Sequence, residues 1–236
     1  MTEPTGGTEY STYLLIDDLL GLQRPLTPDA PDELLFIIVH QAYELWFKLI
    51  LFELGRARDA LDTGAPQAAS GPVRRVLAVM RVLLAQLEVL ETMGPEEFLR
   101  FRDPLKPASG FQSRQFRAIE WLAGERIWPA FCACARRGGL DMPDGDGAPE
   151  RTRRTDALRE LYRDHAEAGR SLLHAVAEQL VDLDESISRW RFHHALMAER
   201  EIGSRAGTGG SPGVAYLRST VEKRFFPELW ELRSAL

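Results

Sequence analysis

Two histidines sit where helical spacing would turn them inward. In WRFHHALMAEREIGSRAGTGGSPG, residues 190–213, each helical position advances the side-chain direction by about 100°. His194 therefore shares a face with Val176, Leu180, Leu183, Ile187, Trp190 and Met197, an apolar stripe, whereas His193 falls with Asp182, Ser186, Arg189 and Arg200. Adjacent helical residues point apart, which excludes a two-histidine metal clamp. A single imidazole aimed into a core has two readings. It is a core histidine satisfied by a hydrogen bond, or it is the axial ligand of a haem, which takes one ring nitrogen from a rigid element beside an apolar wall.

His40 lies with Phe36, Tyr43, Glu44 and Phe47 at helical spacings, so it too faces a crowded interior. Two interior histidines on different helices can divide labour, one ligating a metal and the other hydrogen-bonding a substrate. Arg102 opens the proline-punctuated stretch RDPLKPASG, 102–110, expected to be a loop. There it is solvated, paired with Asp103, or a bidentate clamp for a carboxylate. Gly207-Thr208-Gly209-Gly210 is a nest of backbone N–H groups or a plain helix terminus. It lacks the Gly-Lys-Ser/Thr of a phosphate loop and the preceding strand of a dinucleotide fingerprint. His174 and Glu178, opposite His194 round the helix, read as surface residues.

The elements that must position these groups are helical. Residues 1–9 read as disordered, Tyr10 to Leu20 as a short helix, and Pro25, Pro28 and Pro31 as its break. LLFIIVHQAYELWFKLILFEL, 34–54, is apolar almost all round and belongs in the middle of a bundle. Asp62 to Pro72 reads as a loop, Val73 to Leu90 as an amphipathic helix, and 136–155, rich in Gly, Pro, Asp and Arg, as a mobile loop. An apolar stripe from Leu158 to Ile202 would make a helix on the order of 65 Å long, far beyond the radius of roughly 17–18 Å of a compact domain this size. Gly169 interrupts it, or it packs against other subunits. FFPELWELRSAL closes the chain as a short helix, and no period-2 strand pattern appears. The expected architecture is an all-α helical bundle with long central helices, one domain over 1–236. A net charge of −6 argues against nucleic acid as partner. With no N-terminal apolar leader, and Leu34–Val39 too short to span a bilayer, the expectation is a cytoplasmic protein without membrane contact. Cys132 and Cys134, spaced C-x-C, suit neither a zinc site nor a redox motif and read as reduced thiols.

Longer motifs go further. HQAYELWFKLILFEL (40–54), FRDPLKPASGFQSRQFRAIE (101–120), the stretch from Trp190 to Thr220, FFPELWELR (225–233) and the opening Tyr10-Ser11-Thr12-Tyr13-Leu14 resemble the tryptophan 2,3-dioxygenase family, in unchanged order. The resemblance implies a haem b cofactor whose iron is held by His194, with Phe36 and Ser109 beside it. It makes His40 the distal catalytic histidine at the indole N–H, and Phe36, Phe98 and Leu105 contacts of the substrate. Arg102 would hold the substrate carboxylate and Thr208 its ammonium group, while Tyr10 and Tyr13 would come from a neighbouring subunit of a homotetramer. The implied reaction is opening of the indole of L-tryptophan, or a close derivative, with O2 to N-formylkynurenine, in tryptophan catabolism through the kynurenine pathway. The alternatives are a biosynthetic monooxygenase placing one oxygen on the indole, or a non-catalytic haem or tryptophan sensor. Three positions depart from the pattern: the region from Gly124 to Arg159 is shorter than usual, Arg114 replaces a leucine, and Pro212 replaces a serine.

Overall fold

A computed structural model describes residues 9–164, 166, 168–210 and 212–236; the expected disorder of 1–8 lies outside them. Among these residues there is no strand. Two short helices, α1 (Tyr10–Leu14) and α2 (Ile16–Leu20), precede the long α3 (Asp32–Asp62) and α4 (Pro66–Leu90). Then come α5 (Pro95–Arg102), α6 (Arg114–Leu122), which runs through a π-helical turn (Ala123–Ile127) into α7 (Trp128–Arg137), and α8 (Ala148–Arg163). The 35-residue α9 (Ala168–Ile202), α10 (Val214–Ser219) and α11 (Pro227–Leu232) complete the chain.

The core is a layer of three long helices: α3 packs on α4, α4 on α9, and α6 and α7 cover the other side of α3. Val39, Tyr43, Phe47, Ile50, Leu54, Ala57 and Leu61 form the buried stripe of α3 at the helical repeat. By length and composition alone α3 is apolar enough to cross a membrane. It instead packs against three neighbours and carries the buried Glu53, which accepts from Arg56 and from Arg75 of α4 at 2.9 and 2.7 Å. One stripe of α3 stays outward, with Leu34, Ile38, Leu45 and Phe52 at 43, 48, 55 and 63% exposure.

Several expectations give way to packing. Tyr10–Leu20 is two helices split at Leu15, whose φ of 52° is left-handed. The loop expected over 62–72 shrinks to a turn, because Pro66 opens α4 at a position that needs no N–H and Pro72 is buried within that helix beside Ala69 and Val73. The expected mobile loop over 136–155 is ordered at both ends: α7 runs to Arg137 and α8 begins at Ala148. Arg154 of α8 is buried and forked onto Glu228 of α11 at 2.8 and 2.9 Å, and it also donates to the carbonyls of Pro143 and Gly145. A polar composition read as solvated is here turned inward by a paired charge. The stripe from Leu158 to Ile202 is divided between α8, which ends at Arg163, and α9, which begins at Ala168, just before Gly169, and α9 is roughly 52 Å long. His174 and Glu178, expected on the surface, are half-buried: Glu178 accepts from Tyr162 and from Arg233 at the C-terminus, and His174 packs edge-on against Tyr162.

The C-terminal segment is pinned to α9 by buried side chains. Asp184 on α9 accepts from the backbone N–H groups of Phe225 and Phe226 and from the Trp230 indole at 2.8, 3.0 and 3.1 Å. Arg191, also on α9, donates to the carbonyls of Thr220 and Lys223 and to Glu120 of α6.

Candidate active site

His40 on α3 and His194 on α9 line one cavity of about 410 Å³, with Arg102, Ser109, Gly110, Gly207, Thr208 and Gly213 in the same lining. The Nδ1 of His40 lies 2.7 Å from the Phe36 carbonyl. A carbonyl can only accept, so Nδ1 carries the proton of the neutral ring and Nε2 presents a lone pair. Burial holds the His40 pKa below the ordinary histidine value, against the bond to Phe36 and the charge of Glu44. Phe36 covers the ring at 3.9 Å between centroids and continues into Phe98 and Phe101 at 5.9 and 5.5 Å.

His194 lies parallel to Trp190. The Trp190 indole donates to the Tyr43 hydroxyl at 3.3 Å, and that hydroxyl donates to the Leu83 carbonyl at 2.6 Å. The imidazole is thus carried on a chain of contacts through α9, α3 and α4. Burial, and then the charge of His40, push its pKa down to about 4, so at neutral pH it is an uncharged ring with a lone pair to give. His193 is exposed, as the helical count requires.

Arg102 ends α5 rather than sitting in a loop. Pro95 with Glu96 and Glu97 opens that helix, Arg100 and Arg102 match its C-terminal dipole, and the prolines at 104 and 107 stop it. One guanidinium nitrogen donates to the Ala206 carbonyl, while Nε is buried with no hydrogen-bond partner among the described residues. Thr208 donates to the Ala108 carbonyl at 2.6 Å, tying the glycine-rich segment to the turn that holds Ser109. The two segments meet so closely that a Cβ on Gly209 would lie 2.6 Å from that of Ser109; Gly213, at a φ of +67°, would put one 2.5 Å from the Arg205 carbonyl.

His40, Phe36, Phe98, Arg102, Ser109, His194 and Thr208 are thus brought to one cavity. Leu105 is not among the lining residues: it follows α5 in a turn, its N–H bonded to the Phe101 carbonyl, and its side chain packs on the core. Tyr10 and Tyr13, 76 and 74% exposed on α1, a helix that buries nothing, are not among the lining residues of their own chain's cavity. Three carboxylates line the cavity: Glu44, read in the sequence only as a neighbour of His40 and held by Gln115; Glu120, unread there and held by Arg191; and Glu201, also unread. The last had a signal, since it follows His194 by two helical turns on the same face.

Fold and cavity define an all-α protein with a histidine from each of two long helices and Arg102 lining one cavity. The chain belongs to the tryptophan 2,3-dioxygenase family, whose profile matches residues 2–128 and 150–236, and is an enzyme of the oxidoreductase class. It is 36% identical to the tryptophan 2,3-dioxygenase of Anaeromyxobacter sp. (strain K) over the whole of both chains. To that of Herpetosiphon aurantiacus it is 38% identical over 96% of this chain and 98% of the relative, and to that of Nocardioides sp. 40% over 96 and 94%. The unmatched 129–149 falls inside the stretch that reads as shortened.

Proposed function

We propose that this chain opens the indole ring of L-tryptophan with O2 to give N-formylkynurenine, as in tryptophan catabolism through the kynurenine pathway. The C2–C3 bond breaks and each carbon receives one oxygen atom, so the reaction balances without an external reductant. The observation that carries this reading is the pair of neutral imidazoles in one cavity beside the unsatisfied Nε of Arg102.

The cavity fits a haem b on the chemistry of its donors. His194 is a neutral nitrogen on a rigid helix with apolar neighbours, and would hold the iron, with Phe36 and Ser109 beside the macrocycle. Haem supplies the iron that activates O2. The protein's own work is positioning. Nε2 of His40 accepts the indole N–H, which sets the ring in place before reaction. The Arg102 guanidinium takes the carboxylate and Thr208 the ammonium group, with Phe98 along the indole side of the pocket.

Tyr10 and Tyr13 complete the pocket of a neighbouring subunit in a homotetramer. Their exposure and the outward apolar stripe of α3 support this, since such surface is usually covered by a partner. The assembly is cytoplasmic, with no nucleic-acid or membrane partner. The deciding experiment gives reduced enzyme L-tryptophan and 18O2 and weighs the product. Two labelled atoms on an opened ring are expected. One atom on an intact hydroxyindole or oxindole, or turnover only of a substituted tryptophan, overturns the proposal.

A further inference from the structure

The last turn of α9 carries three successive charged residues, and two face outward with partners: Glu199 accepts from Arg218, and Arg200 donates to Glu91. The third, Glu201, lines the same cavity as His194, Arg102 and Thr208. It is 5% exposed, and its Oε2 is buried with no hydrogen-bond partner among the described residues. The other two carboxylates lining the cavity are each engaged, Glu44 by Gln115 and Glu120 by Arg191. A buried carboxylate oxygen with nothing to accept is costly, so a group that answers it gains more than a surface contact would.

The opposite charge lines the same cavity. Beyond Glu201 the chain turns at Gly203, and the Ala206 carbonyl meets Arg102. Five residues reach at most roughly 18 Å when extended, and the bonds from Gly203 N–H to the Glu199 carbonyl and from Arg205 N–H to the Ile202 carbonyl coil this segment further. One cavity thus holds an unsatisfied donor of an arginine and an unsatisfied acceptor of a glutamate at the two ends of a short turn. That is the complement of a zwitterion.

Resting on the tryptophan reading above, we infer that Glu201 accepts a hydrogen bond from the substrate's α-ammonium group, as the anionic counterpart of Arg102 at the carboxylate. The ammonium has three N–H donors and Thr208 can receive only one or two of them. Glu201 takes a remaining one, and the two charges of the amino acid are matched by two of opposite sign. Burial raises the Glu201 carboxyl pKa, opposed by Arg200 and helped by Glu91; an ammonium set against it favours the charged form.

The test is calorimetric binding to haem-loaded ferric protein of L-tryptophan, N-acetyl-L-tryptophan and indole-3-propionate, the last two lacking the ammonium charge. Wild type should favour L-tryptophan over both by about tenfold to a hundredfold, the range of a charged hydrogen bond. Glu201→Gln should lose about that factor for L-tryptophan and stay within about twofold of wild type for indole-3-propionate. Glu201→Met, apolar like Leu90 and Met93 of the same lining, should do the same. Equal losses for both ligands, or none, would mean Glu201 is structural and would overturn the inference. So would equal binding of L-tryptophan and its N-acetyl derivative by wild type, a comparison that needs no variant. Wild type binding none of the three indicts the tryptophan reading itself.

Discussion

The rings of Trp190 and His194, one helical turn apart on α9, are stacked with 12° between their planes and 5.2 Å between centroids. The stack selects one orientation of the imidazole, and the bond from Trp190 to Tyr43 keeps the indole from turning away. His194→Ala should therefore lose haem, and His193→Ala, at an exposed position, should keep it. Trp190→Leu should load haem but release it faster. Haem per chain by pyridine haemochrome, and loss rates to an apo-myoglobin scavenger, check all three; normal haem content in His194→Ala refutes the ligand assignment.

Arg102 meets the Ala206 carbonyl with one nitrogen and keeps Nε free. A carboxylate arriving there adds a charged hydrogen bond in a partly desolvated site. Arg102→Leu should weaken L-tryptophan binding by ~3 kcal/mol, and tryptamine, which has no carboxylate, should bind wild type and variant alike. Equal wild-type affinity for tryptophan and tryptamine would remove the clamp.

Helical periodicity turned both histidines inward, while Phe98, Ser109 and the choice of roles for Arg102 and Thr208 came from the family resemblance alone. The count that set His194 among Leu183, Ile187, Trp190 and Met197 is borne out because α9 is regular there and its inward face meets α4. It could not give the partner of Asp184 or Arg154, since those lie 41 or more residues away in sequence and depend on how the tail folds back. It also misplaced 148–155, where local composition is polar and only the distant Glu228 makes helix and burial worthwhile. Arg102 was missed as a helix end because the prolines that follow outweigh the dipole-matched charges before them.

At the N-terminus, Tyr10 and Tyr13 present their rings to solvent from one helix, α1, with no buried residue. Removing residues 1–15 should leave haem content unchanged and lower kcat/KM at least about tenfold, the scale of one lost 1.4 kcal/mol contact. Sedimentation of the two forms tests the accompanying assembly. A fully active truncated monomer would contradict the shared pocket.

Cys132 and Cys134 are buried and free. Burial pushes the Cys132 thiol up to about 12, helped by Glu228, while Arg154 and Arg136 oppose it. Burial raises Cys134 too. A thiol whose pKa is higher folded than unfolded lends stability that is intact below the unfolded value near 9 and fades as pH climbs toward 12. Folded protein at pH 8 should give no fast reaction with a disulfide reagent, and both thiols should react in urea. Between pH 9 and 11 the urea midpoint should fall less in Cys132→Ala than in wild type.

The buried pair Arg154–Glu228 offers the sharpest test of stability. Their side chains are 6 and 9% exposed, and the guanidinium also satisfies two carbonyls in the segment between α7 and α8. Arg154→Ala strands a buried carboxylate along with those carbonyls, and should cost ~3–5 kcal/mol in urea unfolding. Glu228→Gln keeps the shape and an acceptor, and should cost less. Replacing both charges, Arg154→Met with Glu228→Leu, should recover most of the loss, because the desolvation of two ions vanishes together with their attraction. The pair lies away from the cavity, so activity per haem in the folded fraction should not change. An Arg154→Ala variant within about 0.5 kcal/mol of wild type, the range of ordinary surface substitutions, would show that the pair is solvated and that 136–155 is the mobile loop its composition suggests.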